Sequence, residues 1–352
     1  GAVREKWLAS LCDDVAALRA RGCEVVIVTS GAIALGRGLL KLAGALRLDE
    51  KQAASAAGQT ILVAAWQRAF DRHGVKVAQI LLTLDDTENR RRYLNARATF
   101  STLLELGAMP LVNENDTIAT QEIRYGDNDR LGAHAAQIVG ADLLVILSDI
   151  DGVYDSDPRR NEGAKHLPLI ERVTAEIERA ATGPNPAAGV GSGGMASKIA
   201  AAKIAGASGC ATVIAAGLGL NPLAAIDRGA RATLIRPQES REGARRRWIA
   251  GRLKALGKVH VDAGAAQALL RGASLLPAGV TRVEGDFQRG DAVEIVDPAG
   301  AALAQGLSAY SAIEVAALAG KRSDEIEKIL GYRRRPAVVE KNDLVLKRNG
   351  DE

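Results

Sequence analysis

The chain has 352 residues, a length that predicts about two domains at roughly 150 residues per domain. Hydrophobic residues make up 47% and charged residues 25%, which excludes the collagen-like, disordered and disulfide-scaffold classes. The net charge is +4, but residues 241–258 alone carry an excess of six positive charges, so the basic character is local. Aromatic residues are only 3%, which argues against nucleic-acid binding mainly by base stacking. The three cysteines lack metal-site spacing and favour a reducing, cytoplasmic location.

An amphipathic helix opens the chain, and alternating strands and helices follow it. Leu8, Leu11, Val15 and Leu18 recur at helical spacing, with Gly22 as the predicted end. Apolar runs predict six buried strands, at 25–28, 75–82, 109–112, 143–147, 211–215 and 232–235. Helical patterns lie between most of them, at 53–72, 90–106, 128–139, 171–181 and 195–206. This order predicts an α/β fold with a mostly parallel open sheet sandwiched by helices.

The alternation of strands and helices stops near Pro237, and the sequence pattern beyond it is typical of a small β-rich domain. Short strands separated by Gly and Asp turns are predicted at 259–262, 280–284, 291–296 and 301–309. We therefore predict four segments: a first domain over 1–240, a basic linker over 241–258, a β-rich domain over 259–335 and a polar tail over 336–352. The longest uncharged run, 204–226, is interrupted by Gly, Asn and Pro residues, so no membrane span is predicted.

Small and polar residues follow three of the predicted strands. They are Thr29–Gly31, Asn113–Asp116, and the pair Ser148 and Asp149. Ligands of an open parallel sheet bind outside the carboxyl ends of its strands, so this edge is the predicted site. Each residue taken singly also suits a helix cap or a turn.

Two further motifs precede predicted helices. In residues 126–130 (GDNDR), Asp127, Asn128 and Asp129 either favour the helix dipole or hold a substrate ammonium group. Residues 189–198 (GVGSGGMASK) match G-x-G-x-x-G, but no strand precedes them, so a dinucleotide fingerprint is excluded. A Gly-rich loop that leads into a helix carrying Lys198 suits a polyphosphate, and a surface loop is the alternative.

Taken together, these segments resemble the amino acid kinase family, and within it the kinases that phosphorylate the side-chain carboxylate of L-glutamate. The matching stretches cover most of the chain in order: VTSGAIALG (28–36), LLTLDD (81–86), RRYLNARATF (91–100), VNENDTIAT (112–120), GDNDRL (126–131), SDIDGVYDSDP (148–158) and GSGGMASK (191–198). The segment 259–332 resembles a PUA domain. The resemblance implies ATP as cosubstrate with Mg²⁺ carried on its phosphates and no metal cage of protein ligands.

The resemblance also implies the residue roles. Glutamate is expected at Ser30, Gly31, Asp116, Asp127 and Asn128. ATP is expected at Ser148, Asp149, Ser192, Gly193, Gly194, Met195, Ala196, Ser197 and Lys198. The expected catalytic groups are Lys198, Asp129 as an organiser of the reacting centre, and Asp149 holding the lysine. The family's phosphate-binding lysine of a K-x-G-[ST] segment has no counterpart, and we expect that segment to precede the given sequence.

Further implications concern partners and alternatives. The resemblance suggests a homo-oligomer and feedback inhibition by proline, the end product of the pathway. Another amino acid kinase, acting on N-acetylglutamate, aspartate or a small phosphate ester, is the nearest alternative. An RNA-binding protein acting through the PUA-like module and Arg245–Arg247 is an alternative of another class, and a solvated linker is the simpler interpretation of those arginines.

Overall fold

The computed structural model describes residues 2–119, 128–182, 194–240, 243–244, 255–332 and 336–347. The chain divides into two compact units, Gly1–Arg241 and Glu242–Glu352. None of the helices that the structure describes combines the length and apolarity that a membrane crossing requires.

The strands of the first unit form two main sheets. In the first sheet, Met109–Glu114 lies between Ile27–Val28 and Val77–Leu82, and all three strands are parallel. The second sheet has the order Leu143–Ser148, Ala211–Ala216, Ala232–Ile235, Leu169–Ile170. A two-stranded antiparallel pair joins Val153–Tyr154 to His166–Leu167. All six predicted strands are present, and the mostly parallel α/β architecture is confirmed.

One predicted strand runs against its neighbour. Ala232–Ile235 pairs antiparallel with Ala211–Ala216, whereas Leu143–Ser148 pairs parallel with the other edge of the same strand. An apolar run predicts that a strand is buried, but it carries no information on its direction.

Helices cover the first sheet on both faces. The helices of this unit are Glu5–Ala20, Ala32–Leu39, Leu48–Asp71, Leu84–Glu88, Arg90–Glu105, Asn128–Val139, Ala175–Thr182, Met195–Ala207 and Pro222–Asp227. Successive strand residues point to opposite faces. Met109 and Leu111 accordingly pack with the helices Glu5–Ala20 and Leu48–Asp71, whereas Val112 packs with Phe100 and Leu131 on the other side. The central strand is therefore buried along its whole length.

The helices Ala32–Leu39 and Leu48–Asp71 touch through their backbones. A Cβ atom built on Gly58 would lie 1.8 Å from the Ala32 carbonyl oxygen, and one built on Gly36 would lie 1.7 Å from the Ala54 oxygen. Neither contact tolerates a side chain, because both partners are backbone atoms of packed helices. This close approach sets the distance between the two helices.

We expect Gly58→Ala to lower the free energy of unfolding by about 1–3 kcal/mol, because overpacking outweighs the gain of about 1 kcal/mol in helix propensity. Urea denaturation followed by circular dichroism measures the change. Gly132→Ala is the matched control, since its new Cβ would meet only a Leu144 side-chain atom, at 3.5 Å. A Gly58→Ala protein as stable as the wild type would contradict the helix contact.

The second unit is a five-stranded sheet with short helices. The strand order is Val280–Gly285, Gly257–Val261, Ala292–Val296, Ala302–Leu307, Leu344–Leu346. The two strands that begin at Gly257 and Ala292 pair parallel, and the other pairs are antiparallel. The helices are Ala263–Leu270, Ala312–Leu318 and Ile326–Leu330, with short 3₁₀ turns at Pro277–Gly279, Ser323–Glu325 and Lys341–Asp343. The β-rich domain is confirmed.

The segment expected to be a polar tail contributes to this domain. Val338 and Val339 are fully buried in its core, and Leu344–Leu346 adds the fifth strand to the sheet. The short apolar run after Pro336 is therefore buried in the domain, although the residues around it are mostly polar. Within the segment expected to be a linker, Gly257 and Lys258 belong to a strand, and Arg245–Arg247 lie outside the described residues.

Candidate active site

A cavity of about 700 Å³ lies at the carboxyl edge of the parallel sheet of the first unit. Its lining comes from three non-helical segments, at Ser30–Gly31, Gly44–Leu46 and Asn113–Asp116, and from four helices. The lining residues are Ser30, Gly31, Ala32, Ile33, Ala34, Arg37, Gly44, Ala45, Leu46, Lys51, Asn113, Glu114, Asp116, Asn128, Asp129 and Lys198. The sheet edge predicted from the sequence is thus the edge at which the cavity forms.

The turn after the strand Ile27–Val28 forms one wall. Gly31 has φ +103°, a left-handed conformation that only glycine adopts readily, and it precedes the helix Ala32–Leu39. Asn128, at the start of another helix, donates from Nδ2 to the Thr29 carbonyl oxygen at 2.9 Å. This bond joins the turn to the helix Asn128–Val139 across the cavity floor.

The residues that follow the strand Met109–Glu114 form a second wall. Asp116 Oδ2 accepts a hydrogen bond from Ser55 Oγ at 2.8 Å. Asn113 donates from Nδ2 to Gln59 Oε1 at 2.9 Å. Asp116 and Asn113, which both line the cavity, are therefore each hydrogen-bonded to a side chain of the helix Leu48–Asp71.

A buried ion pair closes one end of the cavity. Lys198 Nζ lies 2.9 Å from Asp129 Oδ2, and the two side chains are only 8% and 16% exposed. Lys198 stands in the first turn of the helix Met195–Ala207, for which Gly194 is the N-cap. The pair thus places an ammonium group and the positive end of a helix beside the cavity.

The structure corrects one expected role. Asp149 does not contact Lys198; its Oδ2 lies 2.5 Å from the Arg159 guanidinium, and the lysine is held by Asp129. The hydrogen bond from Arg159, with a further one from Ser148, holds the pKa of the Asp149 carboxyl below its usual value. The Asp149 side chain is 59% exposed and that of Asp129 is 16% exposed, so the buried Lys198 pairs with the less exposed of the two carboxylates.

The predicted residues divide into three groups. The cavity brings together Ser30, Gly31, Asp116, Asn128, Asp129 and Lys198. Outside its lining are Ser148, Asp149, Gly194, Met195, Ala196 and Ser197. Beyond the described residues are Asp127, Ser192 and Gly193.

Two cations of the cavity carry no signal in the sequence. Arg37 donates from Nε to the Leu42 oxygen at 3.1 Å and from NH2 to the Gly44 oxygen at 2.8 Å, so it holds the turn beside the cavity. The Lys51 ammonium is half-buried in the lining and forms no ion pair with any described residue. Arg37 comes directly after the matching stretch 28–36, whereas Lys51 lies on a helix without a matching stretch, and helix packing brings it to the site.

The arrangement suits a small molecule with several charges. Lys51 and Lys198 provide positive charge, and Glu114, Asp116 and Asp129 provide negative charge around one volume. In the part of the chain that the structure describes, no cluster of three or more His, Cys, Asp or Glu side chains could hold a metal ion. The charges that line the cavity suit a ligand that carries both anionic and ammonium groups.

Comparison with known proteins shows the family of the chain. A model of the amino acid kinase family matches residues 2–216, and a model of the PUA domain matches residues 257–330. Glutamate 5-kinase of Caulobacter vibrioides (strain NA1000 / CB15N) is 56% identical over 347 residues, which are 98% of this chain and 92% of that protein. Glutamate 5-kinase of Paracoccus denitrificans (strain Pd 1222) is 55% identical over 345 residues, with coverage of 98% and 92%. Isopentenyl phosphate kinase of T. acidophilum is 16% identical, with coverage of 67% and 92% and a TM-score of 0.44.

Proposed function

The chain belongs to the amino acid kinase family, and within it to the glutamate 5-kinases, so we propose that the cavity of its first unit is where ATP phosphorylates L-glutamate. The reaction converts ATP and L-glutamate to ADP and L-glutamyl 5-phosphate, the first step of proline biosynthesis. The relatives do not favour an N-acetylglutamate kinase, an aspartate kinase or an RNA-binding protein without kinase activity. The observation that supports the cavity as the site is the buried Lys198–Asp129 pair facing the acid and amide cluster at the strand ends.

The reaction needs no general base at this site. A glutamate side chain, with an ordinary pKa of about 4.3, is already a carboxylate at neutral pH. One of its oxygens attacks the γ-phosphorus of ATP, a new O–P bond forms, and the bond to the β,γ-bridging oxygen breaks as ADP leaves. The obstacle is repulsion between two anions, so catalysis consists of positioning and charge neutralisation.

Lys198 is the group that we assign to this neutralisation. Its ammonium is held by Asp129 at 2.9 Å beside the cavity, so no reorganisation is needed when charge shifts along the phosphate chain. The helix Met195–Ala207 adds backbone N–H groups at its first turn, which suit a phosphate. ATP would extend from there toward Ser148 and Asp149. Mg²⁺ bound to the phosphates would supply further positive charge, because Mg²⁺ at such sites is coordinated mainly by phosphate oxygens and water.

The substrate's remaining charges match further residues of the cavity lining. Asp116, with the Asn128 region, is the proposed partner of the α-ammonium group. Lys51 is the proposed partner of the α-carboxylate, because the Arg37 guanidinium already donates to two backbone oxygens. In this arrangement Asp116 and Asn128 bind the α-ammonium group of glutamate, and Lys51 binds its α-carboxylate.

The test of the function is a purified, full-length protein assayed for glutamate-dependent ADP release. Hydroxylamine traps the acyl phosphate as a hydroxamate, and N-acetylglutamate and aspartate are run in parallel. We expect hydroxamate with glutamate and at least a tenfold smaller kcat/KM with the other two acceptors. A preference for either of them would contradict the proposal.

Lys51→Met is expected to lower kcat/KM for glutamate by about 10–100-fold, the range for a lost hydrogen bond to a charged group. 4-Aminobutanoate, which lacks the α-carboxylate, should bind the variant and the wild type with the same inhibition constant. Lys6→Met, at an exposed position of another helix, is the control and should leave both values unchanged. Equal losses for glutamate and 4-aminobutanoate would remove Lys51 from α-carboxylate recognition.

Four properties stay predictions. Homo-oligomer formation and inhibition by proline follow from the family and are checked by light scattering and by assay with proline. RNA binding by the PUA domain would show a steep dependence on salt concentration. A cytoplasmic location is expected of an enzyme that uses ATP and has three cysteines without a disulfide.

A further inference from the structure

The helix Leu48–Asp71 carries a row of polar side chains on its buried side. Gln52, Ser55, Gln59 and Trp66 follow one another at intervals of three, four and seven residues, so they lie along one face of the helix. Ser55 is 3% exposed and Gln59 is 8% exposed. Polar groups are costly in such positions unless they find partners, so the partners of this row show what it does.

Every member of the row bonds to a segment at the carboxyl edge of the sheet. The contacts, in order along the helix, are Gln52 Nε2 to the Ala119 oxygen at 3.1 Å, Ser55 Oγ to Asp116 Oδ2 at 2.8 Å, Gln59 Oε1 from Asn113 Nδ2 at 2.9 Å, and Trp66 Nε1 to Thr29 Oγ1 at 3.1 Å. None of these four side chains lines the cavity itself. They stand behind the two segments that do.

The Ser55 bond orients a carboxylate. A serine inside a helix commonly bonds back to a carbonyl of its own helix, but Ser55 donates to Asp116 instead. The bond occupies one oxygen of Asp116 and fixes the plane of the carboxylate against the rigid helix. Because Asp116 also lines the cavity, its carboxylate is held in a defined orientation beside any ligand bound there.

The Gln59 bond orients an amide in the same way. Because Gln59 Oε1 accepts from Asn113 Nδ2, the Asn113 side chain is held with its donor turned toward the helix. An acceptor oxygen is then left for the cavity that Asn113 lines. Gln59 Nε2 is buried without a partner among the described residues, a cost that a leucine or methionine at this position would avoid.

We propose that Ser55 and Gln59 are positioning residues for substrate: they fix Asp116 and Asn113 so that acceptor oxygens face the α-ammonium group of glutamate. The proposal rests on the proposed function of the cavity. It assigns the setting of substrate affinity to two side chains outside the cavity lining, whereas the proposed role of Lys198 is in phosphoryl transfer. A purely structural role would instead change stability, or would affect both substrates alike.

Ser55→Ala tests the proposal with little risk to folding, because alanine fits the space and favours the helix. We expect KM for glutamate to rise about tenfold, with KM for ATP and kcat changed by less than about twofold. Ser55→Thr, which keeps a hydroxyl, should restore most of the affinity. Thr60→Ala is the control on the same helix, since Thr60 Oγ1 bonds only to the Ala57 oxygen at an exposed position.

A substrate lacking the ammonium group separates positioning from general damage. The inhibition constant of glutarate, which keeps both carboxylates, should be the same for wild type and Ser55→Ala. Gln59→Met, which keeps the volume and removes the acceptor, should likewise weaken glutamate but not glutarate. An unchanged glutamate KM in Ser55→Ala, or equal losses for glutamate, glutarate and ATP, would overturn the proposal. A wild-type protein without glutamate-dependent ADP release would instead overturn the proposed function.

Discussion

Replacing Lys198 with methionine is expected to lower kcat at least about 100-fold, the usual effect of removing one preorganised group that stabilises a transition state. Asp129 holds the Lys198 ammonium at 2.9 Å, and the lysine side chain is only 8% exposed. Water therefore cannot easily take the place of this ammonium group in stabilising the charge of the transferred phosphate. KM for glutamate should change much less, because the proposed partners of the α-ammonium and α-carboxylate groups are Asp116 and Lys51. Single-turnover measurements of acyl-phosphate formation report the chemical step directly.

Controls separate chemistry from folding in this variant. Lys203→Met changes a lysine on the same helix that pairs with Glu178 at the surface, and it should leave kcat unchanged. Binding of a non-hydrolysable ATP analogue and thermal unfolding show whether Lys198→Met is folded. A folded variant with wild-type kcat would exclude Lys198 from phosphoryl transfer.

Asp129→Leu is expected to destabilise the protein by about 3–5 kcal/mol, the cost of leaving one partner of a buried ion pair without the other. Lys198 Nζ would then lose its partner at 2.9 Å in a position where its side chain is only 8% exposed. We also expect a loss in kcat as large as that of Lys198→Met, because the ammonium is no longer held beside the cavity. Urea denaturation measures the stability, and the ADP-release assay measures the activity.

The double variant Asp129→Leu/Lys198→Met separates the two effects. Replacement of a buried ion pair by apolar side chains is often close to neutral for stability, so the double variant should recover most of the stability lost by Asp129→Leu. It should remain as inactive as the single variants. Additive losses of stability would show that the two residues are not coupled, and an active double variant would place the chemistry elsewhere.

Much of the site was predictable from local patterns. Buried strands are recognisable as apolar runs of β-branched residues, and the polar residues that end them identify one edge of a parallel sheet. Ser30, Asp116, Asn128 and Lys198 follow from that rule and from the resemblance, and the structure brings all four to one cavity. These features depend on residues within a few positions of one another, so they can be predicted from the sequence alone.

Contacts between residues that are far apart in the sequence could not be predicted from local patterns. Asp129 and Lys198 are 69 positions apart, and the resemblance implied that Asp149, rather than Asp129, holds the lysine. Lys51, Ser55 and Gln59 lie in a helix with no motif, where a polar residue is expected to face water. Their roles depend on which face of that helix meets the sheet.

By itself, the sequence determined the order of strands and helices and the sheet edge at which the cavity lies, because hydrophobic periodicity and turn chemistry are short-range properties. The family was recognised from the matching sequence stretches. The tertiary structure alone decided the antiparallel direction of Ala232–Ile235, the burial of Val338 and Val339, and the pairing of Lys198 with Asp129. Each of these depends on which side chains and strands are buried against one another. Burial is a property of the packed molecule, so it cannot be deduced from short stretches of the sequence.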